Sequence, residues 1–460
     1  MQPTPQSEAA LRVVRTLRAQ NHLAYFVGGC VRDLLLGITP KDYDVTTDAH
    51  PSTVQRLFHR THPVGAHFGV ILVCDGEHQT EVATFRADGA YEDGRRPTEV
   101  TYAATPEIDV LRRDFTINGL LLDPVTGEVL DFVEGQTDLE NRIVRAIGNP
   151  TTRFDEDKLR MLRAIRFAAR FGFTLDEATR LAIQQQASTI HQVSNERIRD
   201  ELTRMLTEGH ANRAFELLEE AGLLREILPE IAAMKGVQQP PQFHPEGDVW
   251  VHTLLLLEKL EPGCSMELGW AALLHDVGKP PTFRAPDPTH AKPRIRFDGH
   301  AEIGTTIART ICNRLRMSND ETDQICLLVA NHMRFGDILQ MRSATLKRFF
   351  RLPNFPEHLQ LHWMDASSAH GDLRLYDFAK REFESAPEET IKPALLLTGR
   401  DLIDAGLRPG PRFKQLLHEL EDAQLEGRIA TRDEAINLLR ELLASNTPAS
   451  PLSSHSSSEP

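Results

Sequence analysis

The chain has 460 residues and a formal net charge of −14 at pH 7. That length is too great for one hydrophobic core, so three or four domains are expected, and the acidic balance argues against general coating of nucleic acid: an RNA substrate would need a local basic surface. Five cysteines at 30, 74, 264, 312 and 326 form neither a disulfide framework nor a thiolate metal site, and no apolar run has membrane-spanning length. The N-terminal MQPTPQSEAALRVVRTLRAQ reads as an amphipathic helix and not as a secretion signal, so a cytoplasmic chain with free thiols, no membrane partner and no DNA partner is expected.

The first chemical signal is FVGGCVRDLLLGITPKDYDVTTD at 26–48. Tyr25, Phe26 and Val27 predict a strand, Gly28-Gly29 a turn whose bare backbone can approach a polyphosphate, and Val31 to Leu36 a short helix bearing Arg32 and Asp33. A second strand is predicted to carry Asp42, Tyr43, Asp44 and Val45. Residues at i and i+2 of a strand share a face, so Asp42 and Asp44 would point together. Two such carboxylates repel unless a cation lies between them, and Mg²⁺ is the usual hard divalent ion. A solvated acidic turn is the competing reading of an isolated Asp-x-Asp.

QTEVATFR at 79–86 alternates as a strand, and FRADGAYEDGRRPTEV at 85–100 is polar, contains glycine and lacks periodicity, so it predicts a mobile loop. RRDFTINGLLLD follows, ending in an apolar strand. Between 142 and 171 stand eight basic residues against three acids, a net of +5 in an acidic chain. Much of this run predicts one helix with its acids in the first turn, where the macrodipole favours them. Asp157 and Arg160 then stand at i and i+3 on one face, as a salt bridge or as a paired acceptor and donor. From 173 onward the spacing is helical almost throughout, including SNERIRDELTRML at 194–206.

A second constellation begins near Phe243, where His252, His275-Asp276, His300, His332 and Asp365 are separated by helix-length segments. Imidazole and carboxylate ligands suit Mn²⁺, Ni²⁺, Fe or Zn, and the His-Asp pair inside apolar LGWAALLHDVGKP needs compensation if buried. Residues 396–442 predict an amphipathic helix pair broken by Gly and Pro at 406–411, with Lys347, Arg348 and Arg351 upstream as a basic surface. The Ser/Pro-rich end from Asn446 cannot bury a core and is expected to be disordered.

Residues 26–48 resemble the nucleotidyltransferase superfamily, specifically the bacterial class II CCA-adding enzymes and their poly(A) polymerase relatives. The resemblance implies that Asp42 and Asp44 hold catalytic Mg²⁺, that Gly28, Gly29, Arg32 and Asp33 serve the nucleotide, and that a third carboxylate lies on a neighbouring strand, for which Glu81 is the candidate. It assigns Arg113, Asp114 and Asn118 to the sugar and phosphates, Gly119 to a place where alanine is common, Asp157 and Arg160 to the incoming base, and Arg163 to the nucleotide-binding residues. Glu196 and Arg197 either brace that base-selecting helix or pack as ordinary helix residues.

Base chemistry supports the Asp-Arg pair independently. A carboxylate only accepts and a guanidinium only donates, which suits the amino donor beside a ring-nitrogen acceptor that cytosine and adenine share. Uracil and guanine present the reverse order and would leave both partners unpaired, at roughly 1–3 kcal/mol per group.

The His/Asp series resembles the HD phosphohydrolase pattern, which makes His252, His275, Asp276, His300, His332 and Asp365 metal ligands and gives Lys279 to a phosphate. The HPEGDVWVHT segment before the first ligand strengthens that match.

The expected architecture is an α/β nucleotidyltransferase head at 1–145, an all-α neck and body at 146–238, an HD domain at 239–370, a helical tRNA-binding tail at 371–445 and a disordered end at 446–460. The implied activity is addition of CCA to tRNA from CTP and ATP by a monomer or homodimer, with Mg²⁺ in the head and a divalent transition metal such as Ni²⁺ or Mn²⁺ in the HD domain. A poly(A) polymerase and an RNA-end phosphatase or phosphodiesterase are the alternatives. The loop at 85–100 favours full CCA addition, and Val64-Gly65-Ala66-His67-Phe68-Gly69, where poly(A) polymerases carry a basic turn, favours tRNA.

Overall fold

A computed structural model describes residues 3–65, 69–88, 100–287, 289 and 293–444. Residues 66–68, most of the loop expected at 85–100 and the end expected from 446 lie outside the described residues. The chain divides into two compact units, residues 1–330 and 331–460.

The first unit opens with the helix Pro5–Arg18, started by a capping box between Thr4 and Ser7 and burying Ala9, Ala10, Val13, Val14 and Leu17. These residues recur every three or four positions and cover the main sheet. Seven strands form that sheet: β1 (Ala24–Val27), β2 (Asp44–Thr47), β3 (Thr61–Gly65), β4 (Val70–Asp75), β5 (His78–Thr84), β6 (Leu121–Leu122) and β7 (Val129–Leu130). Their spatial order is β3-β4-β5-β2-β1-β6-β7. β2 is central, antiparallel to β1 with Val27 opposite Asp44, and parallel to β5 with Val45 opposite Val82. One residue earlier on β2 and β5, Asp44 and Glu81 are neighbours at the same end of the sheet.

Two details differ from the sequence expectation. β2 begins at Asp44, so Asp42 and Tyr43 precede the strand instead of belonging to it. Tyr43 is buried with its ring 5.3 Å from Phe26, and this anchor sets the turn into the strand. The helix after the glycine turn runs Gly29–Leu35, because Gly28 is its N-cap at φ 73°, ψ −127°, a conformation that only glycine adopts readily.

RRDFTINGLLLD folds as a 3₁₀ turn, Thr116–Asn118, leading into β6 beside β1. A Cβ at Gly119 would lie 2.8 Å from Val133 and 3.2 Å from Ile147 and Val110, so larger neighbours fill the space that an alanine would take.

The basic run is not one helix. Pro150–Glu156 and Leu159–Phe171 are separate helices, broken at Asp157, whose φ of −150° and ψ of 104° are extended. The cause is local: the Asp157 carboxylate accepts the Leu159 backbone N–H at 3.1 Å and starts the second helix. Asp155 and Glu156 therefore end one helix and do not open the other.

After further helices, the first unit contains Val249–Glu258, Met266–Leu274 and His300–Arg314. The second unit has an aromatic core around Phe335, Phe349 and Phe355, and a second cluster on Leu402, Leu416 and Leu420. Its last part holds three helices, Gly399–Asp404, Pro411–Leu425 and Arg432–Ala444, in place of the expected pair. Lys347, Arg348 and Arg351 do not form an open basic surface. Lys347 donates to the Leu425 carbonyl at 2.6 Å, Arg348 pairs with Glu421 and Asp422, and Arg351 pairs with Glu421.

Candidate active site and histidine cluster

A cleft of about 1020 Å³ opens in the first unit, lined on one side by Gly28, Gly29, Asp42 and Asp44 and on the other by Arg163, Phe167 and Arg204. Asp44 is pushed up to about 6 by burial, then by the charge of Glu81 and, more weakly, of Asp42, against Arg113. Asp42 and Asp44 share the cleft, and a divalent cation there would remove the repulsion that raises Asp44.

The floor of the cleft is a continuous polar chain. Arg32 donates through Nε and Nη2 to Asp33 Oδ1 at 2.9 and 2.6 Å and through Nη1 to Asn118 Oδ1 at 2.5 Å. Asn118 Nδ2 donates to Asp114 Oδ1 at 3.1 Å, and Arg163 grips Asp114 Oδ2 from Nε and Nη2 at 2.9 and 2.7 Å. Burial alone would raise the Asp114 carboxyl, but Arg163, Asn118 and Arg160 bring it down to about 2. Arg113 pairs with buried Asp109 at 2.9 Å, and a Cβ at Gly28 would lie 3.3 Å from its Nη1.

Arg166 pairs with Glu201 at 2.6 Å and lies over the Phe167 ring at 4.4 Å, while Arg170 pairs with Glu208 at 3.1 Å. Much of the net positive charge read between 142 and 171 is thus compensated by acids elsewhere in the chain. Glu201, 2% exposed, was not singled out from the sequence. The local signal on SNERIRDELTRML is its i+3 spacing from Arg204, with which it pairs at 3.4 Å.

Asp157 and Arg160 do not pair through their side chains. Arg197 takes both oxygens of Asp157, Nη1 to Oδ1 at 3.2 Å and Nη2 to Oδ2 at 2.8 Å. Arg160 Nη1 donates to Glu156 and to the Arg153 carbonyl at 2.7 and 3.2 Å, and Nη2 to the Arg112 carbonyl at 3.2 Å. Three of five guanidinium N–H groups are used in these contacts; Asp157 Oδ1 also accepts the Leu159 N–H, so it is Oδ2, with one acceptance from Arg197, that keeps acceptor capacity.

The second cluster lies elsewhere in the first unit. Buried Asp276 faces three imidazoles: His275 Nε2 at 3.2 Å, His300 Nε2 at 3.7 Å and His252 Nε2 at 3.9 Å. The Nδ1 atoms of His275 and His300 each meet a backbone carbonyl at 2.9 Å, Ala272 and Phe297. His252 Nδ1 meets Glu246 Oε1 at 2.7 Å. Imidazoles held at Nδ1 with Nε2 converging on one carboxylate fit a divalent metal. Burial would raise Asp276, but Lys279, at 2.7 Å, and His275 hold it well below the usual carboxylate range. Lys279 also donates to Gln239 at 2.6 Å. His332 and Asp365 belong to the second unit, on the 3₁₀ helix His332–Gln340 and the helix Phe355–Ser368.

Residues 24–145 match the Poly A polymerase head domain, residues 172–235 the probable RNA and SrmB-binding site of polymerase A, and residues 249–369 the HD domain. These domain matches carry nucleotidyl-transfer chemistry and imply use of divalent metal. The CCA-adding enzyme of Lacticaseibacillus paracasei is 30% identical over 423 residues, 92% of this chain and 93% of that protein. That of Lactobacillus helveticus is 39% identical over 254 residues, 54% of this chain and 63% of its own length. The match to the Enterococcus faecalis CCA-adding enzyme, 46% identical over 204 residues, covers 44% of this chain and 50% of that one.

Among solved structures, the Bacillus stearothermophilus CCA-adding enzyme in complex with CTP superposes with a TM-score of 0.73 at 27% identity, over 96% of this chain and 99% of that one. The Thermotoga maritima CCA-adding enzyme complexed with tRNA shares the fold, at a TM-score of 0.57 and 19% identity over 96% of each chain. No helix among the described residues is long and apolar enough to cross a membrane. The near full-length match to the L. paracasei protein, on a cleft built of carboxylates and a glycine turn, makes this chain a member of the CCA-adding enzyme family.

Proposed function

We propose that this chain adds C, C and A, without a template, to the 3′ end of tRNA from CTP and ATP. The observation that carries the reading is the placement of Asp42 and Asp44 in the cleft beside the Gly28-Gly29 turn, with Asp44 raised to about 6 by burial and by the charges of Glu81, on the neighbouring strand, and Asp42. Asp42 and Asp44, aided by Glu81, would hold Mg²⁺, which when bound activates the 3′-hydroxyl and holds the triphosphate and the leaving pyrophosphate.

The chain's own residues prepare that site. Gly28 and Gly29 let the backbone approach the phosphates, and Arg113 lies beside them as a cation. The Arg32, Asn118, Asp114 and Arg163 chain fixes the floor on which sugar and phosphates rest. Arg197 orients the Asp157 carboxylate to accept from the amino group of C or A, and Arg160 donates to the adjacent ring nitrogen through the N–H groups not given to Glu156 and the two carbonyls.

A second activity, hydrolysis of phosphate esters at RNA ends, is supported by the convergence of His252, His275 and His300 on Asp276. The metal expected there is a transition ion such as Ni²⁺ or Mn²⁺. The proposed organisation keeps a head at 1–145, neck and body at 146–238, HD domain at 239–370 and tail at 371–445, in a cytoplasmic monomer or homodimer.

The test uses purified protein, Mg²⁺ and labelled CTP or ATP with tRNAs ending at the discriminator base, at C and at CC, beside an unstructured RNA. Stepwise completion to CCA followed by arrest, on tRNA alone, is expected. Long A tails on any RNA would make the chain a poly(A) polymerase, and absence of incorporation would leave the histidine cluster as the principal active site.

A further inference from the structure

His252 differs from the other two imidazoles that face Asp276 in what holds its far nitrogen. His275 and His300 are each held by a neutral carbonyl three residues earlier, whereas His252 is held by the carboxylate of Glu246, from the loop before its helix. The same oxygen, Glu246 Oε1, also meets His244 Nδ1 at 2.8 Å, and the two imidazole rings lie edge to face with centroids 4.9 Å apart. Asp248 caps the helix by accepting the Val251 N–H at 2.9 Å, and Gly247 at φ 139° turns the chain so that Glu246 reaches back to a residue six positions on.

The Glu246 side chain is 7% exposed, and its second oxygen is buried with no hydrogen-bond partner. A buried carboxylate with one oxygen idle is costly, so packing alone does not explain it. A carboxylate accepts and does not donate, so both imidazoles must present N–H at Nδ1. The consequence for His252 is that Nε2, on the side of Asp276, carries the lone pair, with more electron density than a carbonyl partner would give.

We propose that Glu246 is a positioning residue for the histidine cluster: it fixes His252 as the Nδ1–H tautomer and strengthens its Nε2 as a ligand for a divalent metal, with His244 as a second donor that keeps the carboxylate in place. This rests on the reading of that cluster as a metal site.

Two measurements on the full chain separate the inference from the reading beneath it. In metal-free protein labelled with ¹⁵N-histidine, the ring signals of His252, assigned by loss in His252→Gln, are expected to show the Nδ1–H tautomer, and Glu246→Ala to shift them toward Nε2–H. In calorimetric titration with Ni²⁺ or Mn²⁺, with Asp42→Ala and Asp44→Ala silencing the cleft, Glu246→Ala is expected to weaken binding 10–100-fold. Glu246→Gln, whose amide oxygen still accepts, should recover part of it. Wild-type protein that binds no metal at the cluster would remove the metal reading and the affinity gain with it. Unchanged His252 signals in Glu246→Ala, with affinity within twofold of the parent, would overturn the positioning role.

Discussion

Arg197 holds Asp157 from both terminal guanidinium nitrogens, at 2.8 and 3.2 Å, across the break between the helices Pro150–Glu156 and Leu159–Phe171. The Leu159 N–H ties down one oxygen of this extended residue, and the clamp fixes the other, so Arg197 sets where Oδ2 points. In Arg197→Met, kcat/KM for CTP and ATP is expected to fall by about tenfold, roughly 1.4 kcal/mol, while misincorporation of UTP and GTP rises. Steady-state kinetics with all four nucleotides checks this. Unaltered selectivity would mean that Asp157 is oriented by other contacts.

Gly278 follows the His-Asp pair by two residues, and a Cβ there would lie 2.0 Å from the His300 carbonyl and 2.6 Å from the Gly304 nitrogen. Neither backbone atom can yield without moving the helix His300–Arg314. Gly278→Ala is expected to weaken metal binding at the cluster at least tenfold and to lower Tm by several degrees, while CTP incorporation stays within twofold. Gly304→Ala, whose Cβ meets the Gly278 nitrogen at 3.3 Å, should show a smaller loss. Calorimetry and thermal melts of the two variants test the gradation.

How much of this could be read from the chain depended on the range of the interaction. Alternation in QTEVATFR gives β5, with Thr80, Val82 and Thr84 buried and Glu81 exposed, because strand parity is a local property. Gly28-Gly29 is equally local, a turn that needs glycine. The break at Asp157 is hidden because EDKLR has good helical composition, and the carboxylate of one residue overrides it by capping the next helix. The fates of Arg166, Arg348 and Arg351 are hidden for another reason: their acidic partners lie 35 or more residues away, so a local count of positive charge mistakes paired cations for an open surface. Glu246 lay in the HPEGDVWVHT segment, but its turn at Gly247 was needed to bring it to His252.

His358 gives the second unit a pH dependence. It is 1% exposed, both ring nitrogens are buried with no hydrogen-bond partner, and burial, then Arg334, pushes it down to about 4 from the usual 6.5. Between those values the unfolded chain binds a proton that the folded one refuses. Stability is therefore complete above pH 6.5 and lost progressively as pH falls toward 4, by roughly 3 kcal/mol for this one group. Urea unfolding of the second unit from pH 7 to 4 should show that decline, and His358→Leu should flatten it. An equal slope in both proteins would assign the acid sensitivity to other groups.

The most direct test of the central claim is single-turnover incorporation of labelled CTP and ATP into tRNA lacking CCA, comparing wild type with Asp42→Ala plus Asp44→Ala at matched tRNA occupancy. Carboxylates that hold the catalytic cations should be worth at least about a thousandfold in rate, about 4 kcal/mol, with tRNA affinity unchanged. Incorporation at the wild-type rate in the double variant would contradict the account and move nucleotidyl transfer away from this cleft.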